Sequence, residues 1–211
     1  MSLNFSKWTI LPVAVLLLGT AAMAQGSPGS STSATPAQDP DIGQRKENQQ
    51  DRIAQGVKSG QLTAGETANL ETKEAAINGE TRADRAANGG TLTAAEKQQI
   101  NRQQKQLSKQ IYNDKHNGAT AHYGANQVAQ RRENQQDRIA QGIKSGQLTA
   151  GETAKLENQQ RGINQQVKAD RSANGGKLTQ GEKKQINKEQ NAASNDIYNK
   201  KHNANTQHPK K

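Results

Sequence analysis

Two long stretches of this chain are copies of each other. Residues 45–117 align with residues 131–203 without a gap, and 48 of the 73 positions are identical at a constant offset of 86. The segment SGQLTAGETA at 59–68, for example, returns unchanged at 145–154. A repeat of this length predicts that the chain contains two copies of one folding unit.

The repeat also divides the chain into segments. We assign residues 41–117 to a first helical unit and residues 118–203 to a second, followed by a basic tail at 204–211. Residues 25–40 are small and polar and include Pro, a composition typical of a flexible linker.

The first 24 residues have the composition of an export signal. A short leader with Lys7 precedes an apolar stretch at 9–18, and Ala22-Met23-Ala24 supplies the small residues of a cleavage site. We therefore expect a signal peptide at 1–24 and export to the periplasm or the outside of a bacterial cell. The alternative is an uncleaved membrane anchor. No later segment is apolar enough to span a membrane, so we expect none after cleavage.

A shorter motif, Gly-x-Leu-Thr-x-x-Glu, occurs twice in each unit and predicts a joint between two helices. The Gly ends one helix in the left-handed conformation, and the Thr caps the next helix. The Glu three residues later completes a capping box, and the Leu before the Thr is placed for a hydrophobic staple. The four joints contain Gly60, Thr63 and Glu66; Gly90, Thr93 and Glu96; Gly146, Thr149 and Glu152; and Gly176, Thr179 and Glu182.

These joints divide each unit into three helices. The interiors are rich in Gln, Lys, Glu, Arg and Ala, which favour helix, whereas β-branched residues are too scattered for strands. We predict an all-α fold of two tandem three-helix units, with helices at about 42–58, 64–87, 94–115, 126–144, 150–173 and 180–201.

The predicted core is thin. After residue 24, only 20 of 187 residues are Leu, Ile, Val or Phe, about 11%, which is below the roughly 20% at which disorder is suspected. Each helix has one narrow apolar stripe, such as Ile100, Leu107 and Ile111 with Tyr112 beside them, and Ala193 stands at the position of Leu107 in the second copy. A marginal bundle, long paired helices, self-association through these seams, folding on a partner and full disorder are all compatible with such stripes.

The sequence lacks the residues that several classes of function require. The chain has no Cys, which excludes disulfides, thiolate metal sites and a Cys nucleophile. It also lacks the G-x-S-x-G, H-E-x-x-H, phosphate-loop and dinucleotide-binding motifs. We therefore expect a non-enzymatic protein without a cofactor, with a binding or structural role in the cell envelope or outside the cell.

Positive charge is concentrated in the second half. Residues 41–90 carry a net charge of −1, whereas 118–176 carry +3 and 177–211 carry +5. Such a surface is suited to an anionic polymer, whether polysaccharide, nucleic acid or lipid headgroups. The alternative is a solvated face that only keeps the protein soluble. The candidate contacts are Lys97, Arg102, Lys105, Lys109, Lys183, Lys184, Lys188, Lys200 and Lys201.

Two further patterns suggest metal binding as an alternative function. The sequence His-Asn-x-x-Thr-x-His occurs after the third helix of each unit and supplies His116, His122, His202 and His208. The joints also resemble the second half of an EF-hand loop, in which a Glu closes the calcium site. Counting back from Glu66, however, the first ligand positions are Gln55, Val57 and Ser59, which carry no carboxylate. Solvated His and helix capping explain both patterns without a metal.

Overall fold

The computed structural model describes residues 40–207, and all secondary structure in that range is helical. The predicted all-α fold is thereby confirmed. The predicted signal peptide at 1–24 and the linker up to residue 39 lie outside the described residues, as does the end of the basic tail beyond Gln207. The helices are α1 (Pro40–Lys58), α2 (Ala64–Ala87), α3 (Ala94–Lys115), α4 (Gln127–Lys144), α5 (Ala150–Ala173) and α6 (Gln180–Lys201).

A capping box begins the helix after each of the four joints. At the first joint the backbone N–H of Thr63 donates to Glu66 Oε2 at 2.9 Å, and the N–H of Glu66 donates to Thr63 Oγ1 at 3.3 Å. Gly60 has a φ of 70°, a conformation that Gly adopts without strain. The joints therefore fix where one helix ends and the next begins.

Each unit is a three-helix bundle whose narrow core is supplemented by buried Gln. In the first unit, Gln49 on α1 donates through Nε2 to the carbonyl oxygen of Gln104 on α3 at 2.6 Å. The equivalent Gln135 donates to the carbonyl oxygen of Gln190, also at 2.6 Å. These bonds pair polar groups whose burial without a partner would destabilise the fold.

The two units pack through equivalent helices. The contact between α2 and α5 is the most extensive between any two helices, and α1 also packs along α4. Each of these helices meets its own counterpart, which is the pattern of an isologous interface in a two-fold dimer. Leu70 and Leu156, equivalent residues of α2 and α5, belong to one apolar cluster that continues through both units.

Two features of the core differ from one continuous set of the predicted apolar stripes. Tyr112 is not in the core, since 58% of its surface is exposed and its ring stacks on His116 with centroids 4.2 Å apart. In the second unit the smaller Ala193 contributes to a separate small cluster with Ile163 and Ile186. Within residues 40–207, none of the helices combines the length and hydropathy required to cross a bilayer.

Candidate anion-binding surface

The cations predicted from the sequence are divided between opposite units. Lys97, Arg102, Lys105 and Lys109 are exposed on α3, and Lys183, Lys184 and Lys188 are exposed on α6. Among the described helices, α3 and α6 share no contact, so these residues do not form one continuous stripe. Lys200 and Lys201 near the end of α6 are only half-exposed.

A denser group of cations surrounds two adjoining clefts in the second unit, which we call the double cleft. One cleft, of about 370 Å³, lies between α4 and α5. The other, of about 460 Å³, lies between the start of α4 and the α5–α6 joint. Arg171 and Gly176 line both clefts, and no carboxylate is among the described residues that line them. The lining cations are Arg132, Lys168, Arg171, Lys177 and Lys183.

Arg132 is held at the first of these clefts by several contacts. Its Nη1 donates to Asn164 Oδ1 at 3.0 Å, and its Nη2 donates to the carbonyl oxygen of His122. The guanidinium also lies over the ring of Tyr123, with Cζ 4.7 Å from the ring centroid. Burial raises the pKa of Tyr123 to about 12, so its hydroxyl stays neutral beside the cation.

Gly176 of the α5–α6 joint is exposed where the two clefts adjoin. The N–H of Gly176 donates to the carbonyl oxygen of Arg171 at 2.7 Å, and Gly176 has a φ of 86°. Apart from its two chain neighbours, no described residue has an atom within 4 Å of where a Cβ on Gly176 would be. Glu182, the nearest capping carboxylate, accepts from the backbone N–H of Thr179 at 2.8 Å, and this bond lowers the pKa of Glu182. The carboxylate of Glu182 therefore caps the start of α6.

The first unit has the same framework with fewer cations. Lys177 corresponds to Thr91, and Lys184, which is exposed on α6 directly after the lining residue Lys183, corresponds to Gln98. Sequence reasoning did not single out Arg132, Lys168, Arg171 or Lys177, because they come from α4, α5 and a joint that only tertiary packing brings together.

The predicted metal ligands are not brought together as a cluster. Nδ1 of His116 is 2.6 Å from the carbonyl oxygen of Tyr112, and Nε2 of His122 is 2.5 Å from Thr120 Oγ1. His202 repeats the geometry of His116, and His208 lies outside the described residues. Within the described range, no three His, Asp or Glu side chains are placed to hold an ion. Metal binding by these His stays a prediction.

The joints use their Glu for capping instead of forming an open calcium loop. Besides its bonds to Thr63, Glu66 accepts from Asn117 Nδ2 at 2.6 Å. In the second unit Glu152 accepts from Asn203 Nδ2, also at 2.6 Å. The carboxylates that would close an EF-hand therefore join the start of the second helix to the chain after the third helix.

A second group of ionisable residues was not anticipated from the sequence. Glu71, Glu74 and Glu157 are fully buried on the facing helices α2 and α5. Gln50 donates to Glu71 at 3.1 Å, and the equivalent Gln136 donates to Glu157 at 3.0 Å. Burial raises the pKa of all three carboxyl groups, that of Glu74 to about 7 and that of Glu157 to about 8. These groups belong to the interface between the units.

The chain matches no protein-family model, no curated protein and no solved structure.

Proposed function

We propose that this chain is a non-enzymatic, exported binding protein that contacts an anionic polymer through its basic second unit. The observation that carries the proposal is the double cleft, where five cations line two adjoining clefts without a lining carboxylate among the described residues. Clustered cations raise the local concentration of polyanions and release their counterions on binding.

An anionic polysaccharide suits this surface better than single-stranded nucleic acid. Binding of single strands relies on aromatic side chains that stack on bases. The two exposed aromatic side chains of the described helices, Tyr112 and Tyr198, stack on their own His116 and His202. The double cleft instead offers charge and amides such as Asn164 and Asn187, which are suited to carboxylate or sulfate groups and to hydroxyls.

Export is the second part of the proposal, and the leader at 1–24 supports it. A protein with this leader reaches the envelope or the exterior, where anionic polysaccharides and lipid headgroups are accessible. The role is then attachment to such a polymer.

Binding of heparin, a sulfated polysaccharide, tests the proposal by calorimetry across a series of salt concentrations. We expect affinity to fall linearly on a log–log plot as salt rises. Lys177→Thr introduces the residue of the first unit and removes one cation, so it should reduce that slope by about 1.

Lys105→Asn is the matched control, because it also introduces the residue found at the equivalent position of the other unit, Asn191. Lys105 lies on α3, outside the double cleft, so its loss should leave the slope unchanged. Equal effects of the two substitutions would refute a localised site. Stronger binding to single-stranded DNA or to anionic vesicles than to heparin would replace polysaccharide as the polymer.

A further inference from the structure

A larger cleft lies between the two units, and we call it the inter-unit cleft. It has a volume of about 740 Å³ and is lined by α1, α2, the first turn of α5 and residues 204–207. This volume is in the range of sites for small ligands. Its cations are Lys46, Arg82 and Arg85, and Glu47 is the one carboxylate among the described residues that line it.

The inter-unit cleft is the counterpart of the first cleft of the second unit. Lys46, Asn78, Arg82 and Arg85 occupy the positions of Arg132, Asn164, Lys168 and Arg171 at the 86-residue offset. The two sites therefore share a pattern of cations but differ in volume, about 740 Å³ against about 370 Å³.

One substitution between the copies contributes to this difference. Ala75 lines the inter-unit cleft, whereas its counterpart on α5 is Arg161. Arg161 fills space beside the start of α2, since its Cδ lies 3.3 Å from where a Cβ on Gly65 would be. At Gly151, the counterpart of Gly65, no described atom outside its chain neighbours and its own helix backbone lies within 4 Å of that point. The first copy has an open space where the second holds an Arg side chain.

The walls of the cleft combine charge with apolar surface. Ile42 and Ile77 are buried side chains that line it together with Ala75. Lys46 is half-buried, and its Nζ lies 3.5 Å from the carbonyl oxygen of Gln207. Burial lowers the pKa of Lys46, so a bound anion would stabilise its charged form.

The chain after α6 closes one side of the cleft and joins the units. The N–H of Gln207 donates to the carbonyl oxygen of Gly146 at 2.8 Å, within the second unit. Its side-chain Nε2 donates to Gln50 Oε1 at 3.0 Å, in the first unit. The cleft is therefore built by both units, and an occupant would contact both.

We propose that the inter-unit cleft binds a small organic anion that has an apolar part, such as an aromatic or alkyl phosphate or carboxylate. The anionic group lies among Lys46, Arg82 and Arg85, and the apolar part packs against Ile42 and Ile77. This site is distinct from the double cleft, because the first unit supplies its cations and the start of α5 and residues 204–207 form another part of its wall.

Phenyl phosphate is a suitable probe, measured by calorimetry against inorganic phosphate and phenol. We expect one phenyl phosphate per chain, at least tenfold weaker binding of inorganic phosphate, and no heat from phenol. Equal affinity for phenyl phosphate and inorganic phosphate would overturn the proposed apolar contacts. Binding of phenol as tight as that of phenyl phosphate would overturn the proposed contacts with the anionic group.

The variant Ala75→Arg tests whether binding depends on the open space of the inter-unit cleft or only on its positive charge. It introduces the residue that α5 already carries at the equivalent position, fills the cleft and adds a positive charge. We expect at least a tenfold loss of phenyl phosphate affinity, with heparin binding unchanged. Retained or stronger phenyl phosphate binding would show that net charge alone attracts the anion, and would overturn the site.

A second variant keeps the test decisive if Ala75→Arg does not fold. Arg82 is exposed on the lining, so Arg82→Gln removes a cation without disturbing the core, and we expect about a fivefold loss of phenyl phosphate affinity. The matched control is Lys73→Gln on the same helix, which introduces the residue found at position 159 and lies outside the cleft. Equal losses in the two variants would contradict the assignment. Failure of heparin binding alone would affect only the polymer proposal.

Discussion

Glu71 on α2 and Glu157 on α5 are equivalent residues of the two units, and each is fully buried where these helices pack. Each carboxyl group accepts one hydrogen bond from the Gln at the equivalent position of α1 or α4. Repulsion from Glu157 adds to burial in raising the pKa of Glu71. The main contact between the units therefore contains carboxyl groups that are stable there in their protonated form.

The stability of the protein should decrease as the pH rises from mildly acidic to mildly alkaline. A carboxyl group with a raised folded-state pKa stabilises the fold fully below its unfolded pKa, near 4.5, and this contribution is lost as the pH rises through its folded value. Those values are about 7 for Glu74 and about 8 for Glu157. Urea unfolding at pH 5 and pH 8.5, followed by circular dichroism, should give the lower free energy of unfolding at pH 8.5. The triple variant Glu71→Gln/Glu74→Gln/Glu157→Gln should lose most of this dependence, and a wild type equally stable at both pH values would contradict the prediction.

Glu74→Gln should stabilise the protein, because the second unit already shows how Gln fits there. Gln160, the residue equivalent to Glu74, donates through Nε2 to Gln135 Oε1 at 3.1 Å. The equivalent oxygen, Gln49 Oε1, is buried and has no hydrogen-bond partner among the described residues. Supplying that partner should increase the free energy of unfolding by about 1–3 kcal/mol at pH 8. The reverse change, Gln160→Glu, is the control and should destabilise, and a destabilising Glu74→Gln would show that the two environments differ.

Two Gly→Ala substitutions should have opposite effects on stability. A Cβ on Gly56 would lie 2.7 Å from the buried side chain of Leu62, the staple of the first joint. Gly56→Ala should therefore destabilise by about 1–3 kcal/mol. Gly79 lies inside α2, and apart from its chain neighbours and the backbone of its own helix no described atom lies within 4 Å of its Cβ position, so Gly79→Ala should stabilise by about 0.5–1 kcal/mol. Thermal unfolding of both variants measures the difference, and a stabilising Gly56→Ala would contradict the packing at Gly56.

The first unit should gain polymer binding when it receives the cations of the second. Thr91→Lys and Gln98→Lys introduce the charges found at Lys177 and Lys184 on the same helical framework. We expect the double variant to bind heparin more tightly, with a salt dependence about two units steeper. A comparable gain from two Lys placed on α2 would show that net charge, and not the position of the added cations, determines binding.

The helices were predictable because local chemistry determines their ends. Capping boxes bond the backbone N–H groups that would otherwise lack a partner at the start of a helix, as at Thr63 with Glu66 and at Thr179 with Glu182. Each of these helices begins one residue after its Thr, as predicted. The start of α4 differs by one residue, at Gln127, because there Asn126 caps the helix without a capping box.

The packing of the units was not predictable from the same patterns. Glu71 lies among polar residues of α2 and is typical of a solvated face, yet it is buried against α5. One signal was present in the chain, since Glu71 is identical in both copies whereas positions 72–76 all differ. The cations of the double cleft come from separate segments, so their proximity depends on a tertiary contact that helix periodicity does not specify.

Pairing of α1 with α4 and of α2 with α5 gives the molecule the arrangement of a dimer held within one polypeptide. In two separate identical subunits, a change at one interface position necessarily appears twice, whereas here Ala75 and Arg161 differ, as do Glu74 and Gln160. The covalent connection also keeps the halves at a high effective concentration, so the interface tolerates buried carboxyl groups that would weaken an association in dilute solution. The first unit can therefore keep an open cleft beside Ala75, while the second fills the equivalent space with Arg161.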